Sequence, residues 1–337
     1  MRLRFIQHLL DNLRGRGYGQ FVRSKVYGKI FLPIYNTGYP LDPSEPEIYN
    51  KEGSLLQTFF IRDVHWAHSP YYMQSNYFTW DRFNIGLKTH FYTHQAMHQH
   101  VGNPDSRYGL LWESESLVPE DYKIFKRKKG LENDFDLVFT FSEDLLETLP
   151  NARFYPGCAS SWYGTKFGGG KLSNTSYLSK QKNVSIVASS KARVPLHKFR
   201  LELAKKLKRE GLADTYGTFD SGQPVMIADA LRSYRFSFAI ENDLKPLFFT
   251  ERLTSCFAAM TIPIYLGASK ISQFFNPDGI IQLKASDLDD IEKIIQLCTR
   301  AEYERRLPAI MDNYNRVKPF LNANDWLYEN YFKQDGD

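Results

Sequence analysis

Two short stretches carry residues whose types and spacing suit group transfer. In R-Y-G-L-L-W-E-S-E-S-L-V-P-E-D-Y, residues 107–122, the apolar run Leu110, Leu111 and Trp112 ends abruptly in Glu113-Ser114-Glu115-Ser116. Carboxylates at the C-terminal mouth of a buried parallel strand sit where open α/β sheets bind substrates. A carboxylate there can take the proton of an attacking hydroxyl. The same residues also read as an N-cap cluster for a helix after Pro119, with Ser116 and Glu120 as caps. In F-F-T-E-R-L, residues 248–253, Glu251 and Arg252 stand in the first turn of a helical pattern that opens near Thr250. Free N–H groups and the positive end of the helix dipole at such a start hold an anion such as pyrophosphate.

The elements around these residues are those of a nucleotide-binding sheet. In Y-R-F-S-F-A-I-E, residues 234–241, Phe236, Phe238 and Ile240 alternate with Ser237, Ala239 and Glu241, the period of a strand. A polar turn follows, then a helix with Leu253, Phe257 and Met260 on one face, then the strand T-I-P-I-Y-L-G. Upstream, V-S-I-V-A-S-S, residues 184–190, is an apolar strand. It leads into a helix from about His197 that Gly211 caps. Phe199, Leu203 and Leu207 line one face of that helix, with Arg200 outside the stripe near its start. In the first half, F-D-L-V-F-T and A-R-F-Y flank a short helix started by Ser142. Residues 163–179 are rich in Gly, Ser and Thr and read as a linker. Their triple glycine is no nucleotide fingerprint, because no helix follows it directly.

The runs F-A-I-E-N, F-F-T-E-R-L, T-I-P-I-Y-L-G and F-F-N-P-D-G-I-I, in that order, resemble the core of glycosyltransferase family 10. These are the α-1,3/1,4-fucosyltransferases, and the likeness is to the soluble bacterial or viral type. F-D-L-V-F-T, N-A-R-F and D-T-Y-G extend it. The resemblance implies an α/β GT-B fold, two Rossmann-like domains facing a cleft. It implies an inverting transfer of L-fucose from GDP-β-L-fucose to a glycan hydroxyl, with an α-1,3-type linkage. Glu113 is then the catalytic base, because Pro119 lies six positions beyond it as in the family's E-S-P run; Glu115, standing where the family has Pro, is the alternative. The donor-binding residues implied are Arg200 (with Arg193 as fallback), Glu241, Asn242, Phe248, Thr250, Glu251 and Arg252. Glu251 would hold the ribose hydroxyls, and Arg200 and Arg252 the phosphates. Phe248 replaces the family's usual Tyr, and Arg252 its usual Lys, which keeps the charge but changes the phosphate geometry. No cofactor or metal is required on this reading, a divalent cation being at most stimulatory.

The chain of 337 residues is long enough for two domains, and 42% hydrophobic with 15% aromatic residues supports real cores. The expected division is an acceptor-binding and catalytic-base domain over 1–162, a linker over 163–180, and a nucleotide-sugar domain over 181–310. A helical tail over 311–337 is expected to pack back on the first domain. The net charge of +5 suits a phosphate-bearing small molecule or an anionic surface and does not by itself argue for nucleic acid. Three widely spaced cysteines fit a reducing compartment. The N-terminus, with Arg2, Arg4, Arg14, Arg16, Arg23 and Lys25, lacks the apolar run of a membrane span. It reads either as a peripheral contact with the inner face of a membrane or as a solvated helix, which places the protein in the cytoplasm. Helices are expected near 5–13 and 81–87. His90, His94, His98 and His100 suggest a metal group or a wet helix face, with only Asp105 nearby as a carboxylate partner. His65, Trp66 and His68 form an aromatic loop that suits a sugar ring or a core. The acceptor is expected to be an oligosaccharide or lipopolysaccharide. The rival readings are the same fold with another GDP-linked deoxysugar, and a non-catalytic glycan- or polyanion-binding module.

Overall fold

The computed structural model describes residues 20–23, 31–34, 56–63, 75–81, 84–166 and 168–333. The basic N-terminal segment, the helix expected over 5–13 and the loop around His65, Trp66 and His68 lie outside them. The chain divides into two compact units. The first is Met1–Glu113, Val118–Gly157 and Asn324–Asp337; the second is Ser114–Leu117 and Cys158–Ala323. The stretch 163–180, expected as a linker, falls inside the second unit. There Tyr163 is buried and the Gly164 N–H donates to the Gly169 carbonyl.

In the first unit, β1 (Gln20–Arg23) and β2 (Phe31–Ile34) form an antiparallel pair. A parallel sheet is built from β3 (Gln57–Arg62), β4 (Phe78–Asp81), β5 (Thr89–Thr93), β6 (Ser106–Leu110), β7 (Leu137–Thr140) and β8 (Ala152–Phe154). Its order is β4-β3-β5-β6-β7-β8, so the winding reverses between β3 and β5. Of the helix expected over 81–87, the described residues show none: Asp81 closes β4 and 84–87 form a turn. The histidines share no helical face either. His90 is a strand residue of β5, His94 and His98 bound a short 3-10 turn, and His100 follows it. Three short helices follow β6: α1 (Pro119–Tyr122), α2 (Ile124–Arg127) and α3 (Glu143–Thr148). Val118, not Ser116, is the N-cap of α1, and Ser142 caps α3 by position without a side-chain bond.

The second sheet is parallel, in the order β10-β9-β11-β12-β13. Its strands are β9 (Lys182–Val187), β10 (Asp214–Tyr216), β11 (Tyr234–Ile240), β12 (Ile262–Leu266) and β13 (Ile281–Gln282). The helices here are α4 (Pro195–Glu210), α5 (Ile227–Leu231), α6 (Glu251–Ala258), α7 (Ile291–Leu297) and α8 (Arg300–Arg316). The alternation in β11 does not sort inside from outside. The strand is central, so both faces are buried. Ser237 is accommodated by accepting from Ser185 Oγ at 2.9 Å. Gly211, at φ +66°, ends α4 in the left-handed conformation expected of it. Gly217, after β10, has no room for a side chain, since a Cβ there would stand 2.0 Å from the Ala188 carbonyl oxygen. The helix α6 stops at Ala258, before Met260, whose φ of +54° turns the chain toward β12.

The last helix, α9 (Ala323–Tyr331), packs within the first unit from Asn324 onward. Tyr328 stacks on Tyr77 with centroids 4.8 Å apart, and Phe332 meets Phe59, Phe91 and Tyr108. No helix among the described residues is long and apolar enough to cross a membrane. All three cysteines are free.

Candidate active site

In the second unit the winding reverses between β9 and β11, and the C-terminal ends of those strands are where an open α/β sheet binds its ligand. Glu241 follows β11 directly and is fully buried. Its Oε1 accepts from the Thr250 N–H at 3.0 Å and its Oε2 from Thr250 Oγ1 at 2.7 Å. Thr250 in turn is the N-cap of α6, its Oγ1 accepting from the Arg252 N–H at 3.2 Å. One carboxylate therefore fixes the start of the helix that presents Glu251 and Arg252. Burial, and then the charge of Glu251, push the Glu241 carboxyl up to about 7. Both oxygens being engaged by Thr250, Glu241 acts on the shape of the site.

Arg200 also reaches this strand mouth. The sequence pattern placed it outside the apolar stripe of α4, but it lies in the buried face with Leu196, Leu203, Ala204 and Leu207. The reason is its length. From a buried backbone position the guanidinium extends to the end of β11, where Nη1 donates to the Ile240 carbonyl at 2.9 Å. Burial, and then the neighbouring Arg252, hold the guanidinium down at about 9. His197, one turn earlier, was not singled out from the sequence. It is 5% exposed, and its Nδ1 has no hydrogen-bond partner among the described residues. Burial and the charges of Arg200, Arg252, Lys191 and Arg193 hold it down at about 4, so it is neutral at ordinary pH. Arg193 is exposed in the loop before α4.

The structure thus gathers Arg200, His197, Arg252 and Glu251 about the helix start. Arg252 and Glu251 form a loose 4.0 Å pair, both partly exposed. Asn242 adds a buried Oδ1 without a partner among the described residues. Phe248 is 1% exposed, so its ring packs beneath the turn. A cluster of guanidinium groups at a capped helix start suits a diphosphate, because an anion there offsets the charges of Arg200 and Arg252 and meets the positive end of the helix dipole.

The carboxylates after β6 part company. Glu115 is ion-paired to Lys245 at 2.9 Å, and the Ser116 N–H donates to Asp243 Oδ2 at 2.8 Å. The short segment Ser114–Leu117 is thereby held on the exit of β11, within the second unit. Glu113 remains with the first unit, half-buried. Its carbonyl accepts from Tyr122 Oη at 2.6 Å, and its N–H is 3.3 Å from His94 Nε2. Two of the other histidines in that run have protein partners. His90 Nδ1 meets Tyr92 Oη at 2.9 Å, and His100 Nε2 meets the Met97 carbonyl at 2.9 Å. Among the described residues, no group of three or more His, Cys, Asp or Glu side chains could hold a metal ion.

Residues 177–307 match the family described as glycosyltransferase family 10 (fucosyltransferase), C-terminal part. The match covers most of the second sheet and its helices, so the resemblance to family 10 stands on that region. A Bos taurus 3-galactosyl-N-acetylglucosaminide 4-alpha-L-fucosyltransferase is 34% identical over 89 residues. That alignment spans 25% of this chain and 24% of the relative. A solved alpha-glucosyltransferase, in complex with UDP-glucose and DNA containing an abasic site, superposes with a TM-score of 0.50 at 9% identity. It covers 83% of this chain and 91% of the other. An alpha1,3-fucosyltransferase with GDP gives a TM-score of 0.45 at 16% identity, covering 84% of this chain and 96% of the other. The fold is α/β, of the GT-B type, with one parallel sheet in each unit.

Proposed function

We propose that the protein is an inverting glycosyltransferase that moves L-fucose from GDP-β-L-fucose to a glycan hydroxyl, with an α-1,3-type linkage. The observation that carries this reading is the cluster of Arg200, His197 and Arg252 at the capped start of α6. It lies at the switch point of the sheet and inside the region that matches the fucosyltransferase family. The cluster suits the diphosphate of a nucleotide sugar, and the matched family and the bovine relative supply the word fucosyltransferase.

In the reaction, the acceptor oxygen forms a bond to the anomeric carbon while the bond from that carbon to the β-phosphate oxygen breaks. The electron pair leaves with GDP. Glu113 takes the acceptor's proton. Glu115 is the weaker candidate, since Lys245 already neutralises it. Negative charge grows on the β-phosphate, and Arg252, Arg200 and the positive end of the α6 dipole stabilise it. His197, neutral when the site is empty, gains a partner when the phosphate arrives. Glu251, at the exposed edge, would take the ribose hydroxyls. An oligosaccharide or lipopolysaccharide hydroxyl is the proposed acceptor.

Two measurements test the proposal. In a thermal-shift series with GDP-β-L-fucose, GDP-mannose, UDP-glucose and GDP, the guanosine ligands should raise the melting temperature. A ligand at a hundred times its Kd stabilises by about 2.7 kcal/mol. Stabilisation by UDP-glucose alone would reassign the donor, and no stabilisation by any of the four would favour a non-catalytic binding module. With a galactosyl-N-acetylglucosaminide acceptor, Glu113→Ala should abolish transfer while calorimetry shows GDP affinity unchanged. A variant that keeps most of its transfer rate would overturn the base assignment.

A further inference from the structure

The β6–β7 ladder last reaches β6's continuation at Leu111, whose N–H donates to the Phe139 carbonyl at 2.9 Å. Beyond it, the N–H groups of Trp112 and Glu113 turn to a side chain. Trp112 N lies 3.4 Å and Glu113 N 3.3 Å from His94 Nε2, one ring nitrogen accepting from both. On the other side of the same ring, Nδ1 stands 3.0 Å from Asp121 Oδ2. A single tautomer suits all three approaches: a proton on Nδ1, the nitrogen facing the carboxylate, leaves the Nε2 lone pair for the two backbone donors. Asp121 is itself fixed, its Oδ1 accepting from Gln95 Nε2 at 2.8 Å.

Three further features mark this ring as positioned. His94 is fully buried. It packs edge-on against Trp112, with centroids 5.5 Å apart and planes at 75°. Its backbone sits at φ +49°, a left-handed conformation that few residues other than glycine adopt. Such strain persists where the surroundings over-determine it and collects at functional sites. Together with Tyr122 Oη on the Glu113 carbonyl, the imidazole grips the Glu113 residue by both of its backbone polar groups.

We propose that His94, oriented by Asp121, is a positioning residue for Glu113: it holds the strand mouth so that the carboxylate projects in the pose from which it takes the acceptor proton. This rests on the reading of Glu113 as the base. The logic is that of a carboxylate that fixes a histidine's tautomer, here applied to a backbone clamp in place of a nucleophile.

The test uses GDP-β-L-fucose with the galactosyl-N-acetylglucosaminide acceptor and reads GDP release. His94→Ala should lower kcat by about 100-fold, the scale of a roughly 1 Å misplacement, with donor KM and GDP affinity unchanged. His94→Gln should restore most of the rate, because its amide oxygen can accept where Nε2 did. A merely structural role would lower the melting temperature of both variants and leave kcat per folded molecule intact; that result overturns the clamp. Should His94→Ala fail to fold, Asp121→Ala tests the same contact while leaving the ring against Trp112. A wild-type kcat in Asp121→Ala overturns the proposal. Glu113→Gln separates the two readings. Retained transfer overturns the base assignment and the clamp with it, whereas an inactive Glu113→Gln beside a fully active His94→Ala overturns the clamp alone.

Discussion

At the end of β11, Glu241 is a carboxyl with no solvent and two hydrogen bonds from one threonine. Its folded value of about 7 lies above the ordinary 4.5 because burial disfavours the charged form. Between those two values the native state binds more protons than the unfolded chain. The stability this group contributes is therefore complete below pH 4.5 and is lost as the pH rises through about 7. His197 works in the opposite sense. Held down at about 4 against an ordinary 6.5, it adds stability as the pH climbs through that window. Glu241→Gln removes the first of these groups. Urea midpoints at about pH 5 and pH 8 should show wild type losing up to about 3 kcal/mol relative to the variant, the free energy that goes with a rise from 4.5 to about 7. Parallel pH profiles for the two proteins would remove Glu241 from this role.

On the scale of one element, α6 has its start made rigid from the strand before it. Thr250 caps the helix and also bonds both oxygens of Glu241, so the start of α6 and Arg252 inherit the position of β11. Loss of an N-cap costs about 1 kcal/mol, and leaving the buried carboxyl short of a partner adds about 1–3 kcal/mol. Thr250→Ala should therefore lower stability by about 2–4 kcal/mol in a denaturant titration and weaken GDP binding in calorimetry. Thr250→Ser keeps the hydroxyl and should recover most of both. Equal losses in the alanine and serine variants would mean that the methyl group, not the hydroxyl, matters.

For the molecule as a whole, the last helix belongs to the first sheet although the chain reaches it only after completing the second. Asp325 accepts from Ser75 Oγ at 2.6 Å and from the Asn76 N–H at 2.8 Å, and Leu327 is fully buried. The first unit cannot finish its core until the C-terminus arrives. Leu327→Ala should cost about 2–5 kcal/mol, lowering the melting temperature and destabilising the Ser75–Asp325 contact, formed 250 positions apart. An unchanged melting temperature would show that α9 is dispensable to the core.

The strand–turn–helix–strand order of the second unit was legible because local signals agree there: alternating apolar residues, Thr250 before a helical stripe, Gly211 after another, and an ordered string of family motifs. Where local signals were thin, tertiary structure decided. The spacing of His90, His94 and His98 matches a helix, yet the sheet claims His90 and leaves His94 at the strand's mouth, since pairing with neighbouring strands outweighs a period read over a few residues. Arg200 reads as a polar position beside an apolar stripe, and only packing shows its stem buried and its guanidinium delivered to β11. The division of Glu113 from Glu115 is of the same kind. Two carboxylates two positions apart are alike in sequence; Lys245 and His94, brought in from distant parts of the chain, give them different surroundings. Capping and periodicity are local physics, and they set the strand–turn–helix–strand order of the second unit and the helix start at Thr250 from the sequence alone. Which carboxylate is neutralised, which histidine clamps a strand mouth and which arginine is buried depended on groups far apart in the chain meeting in space, and only the folded sheet order sets that.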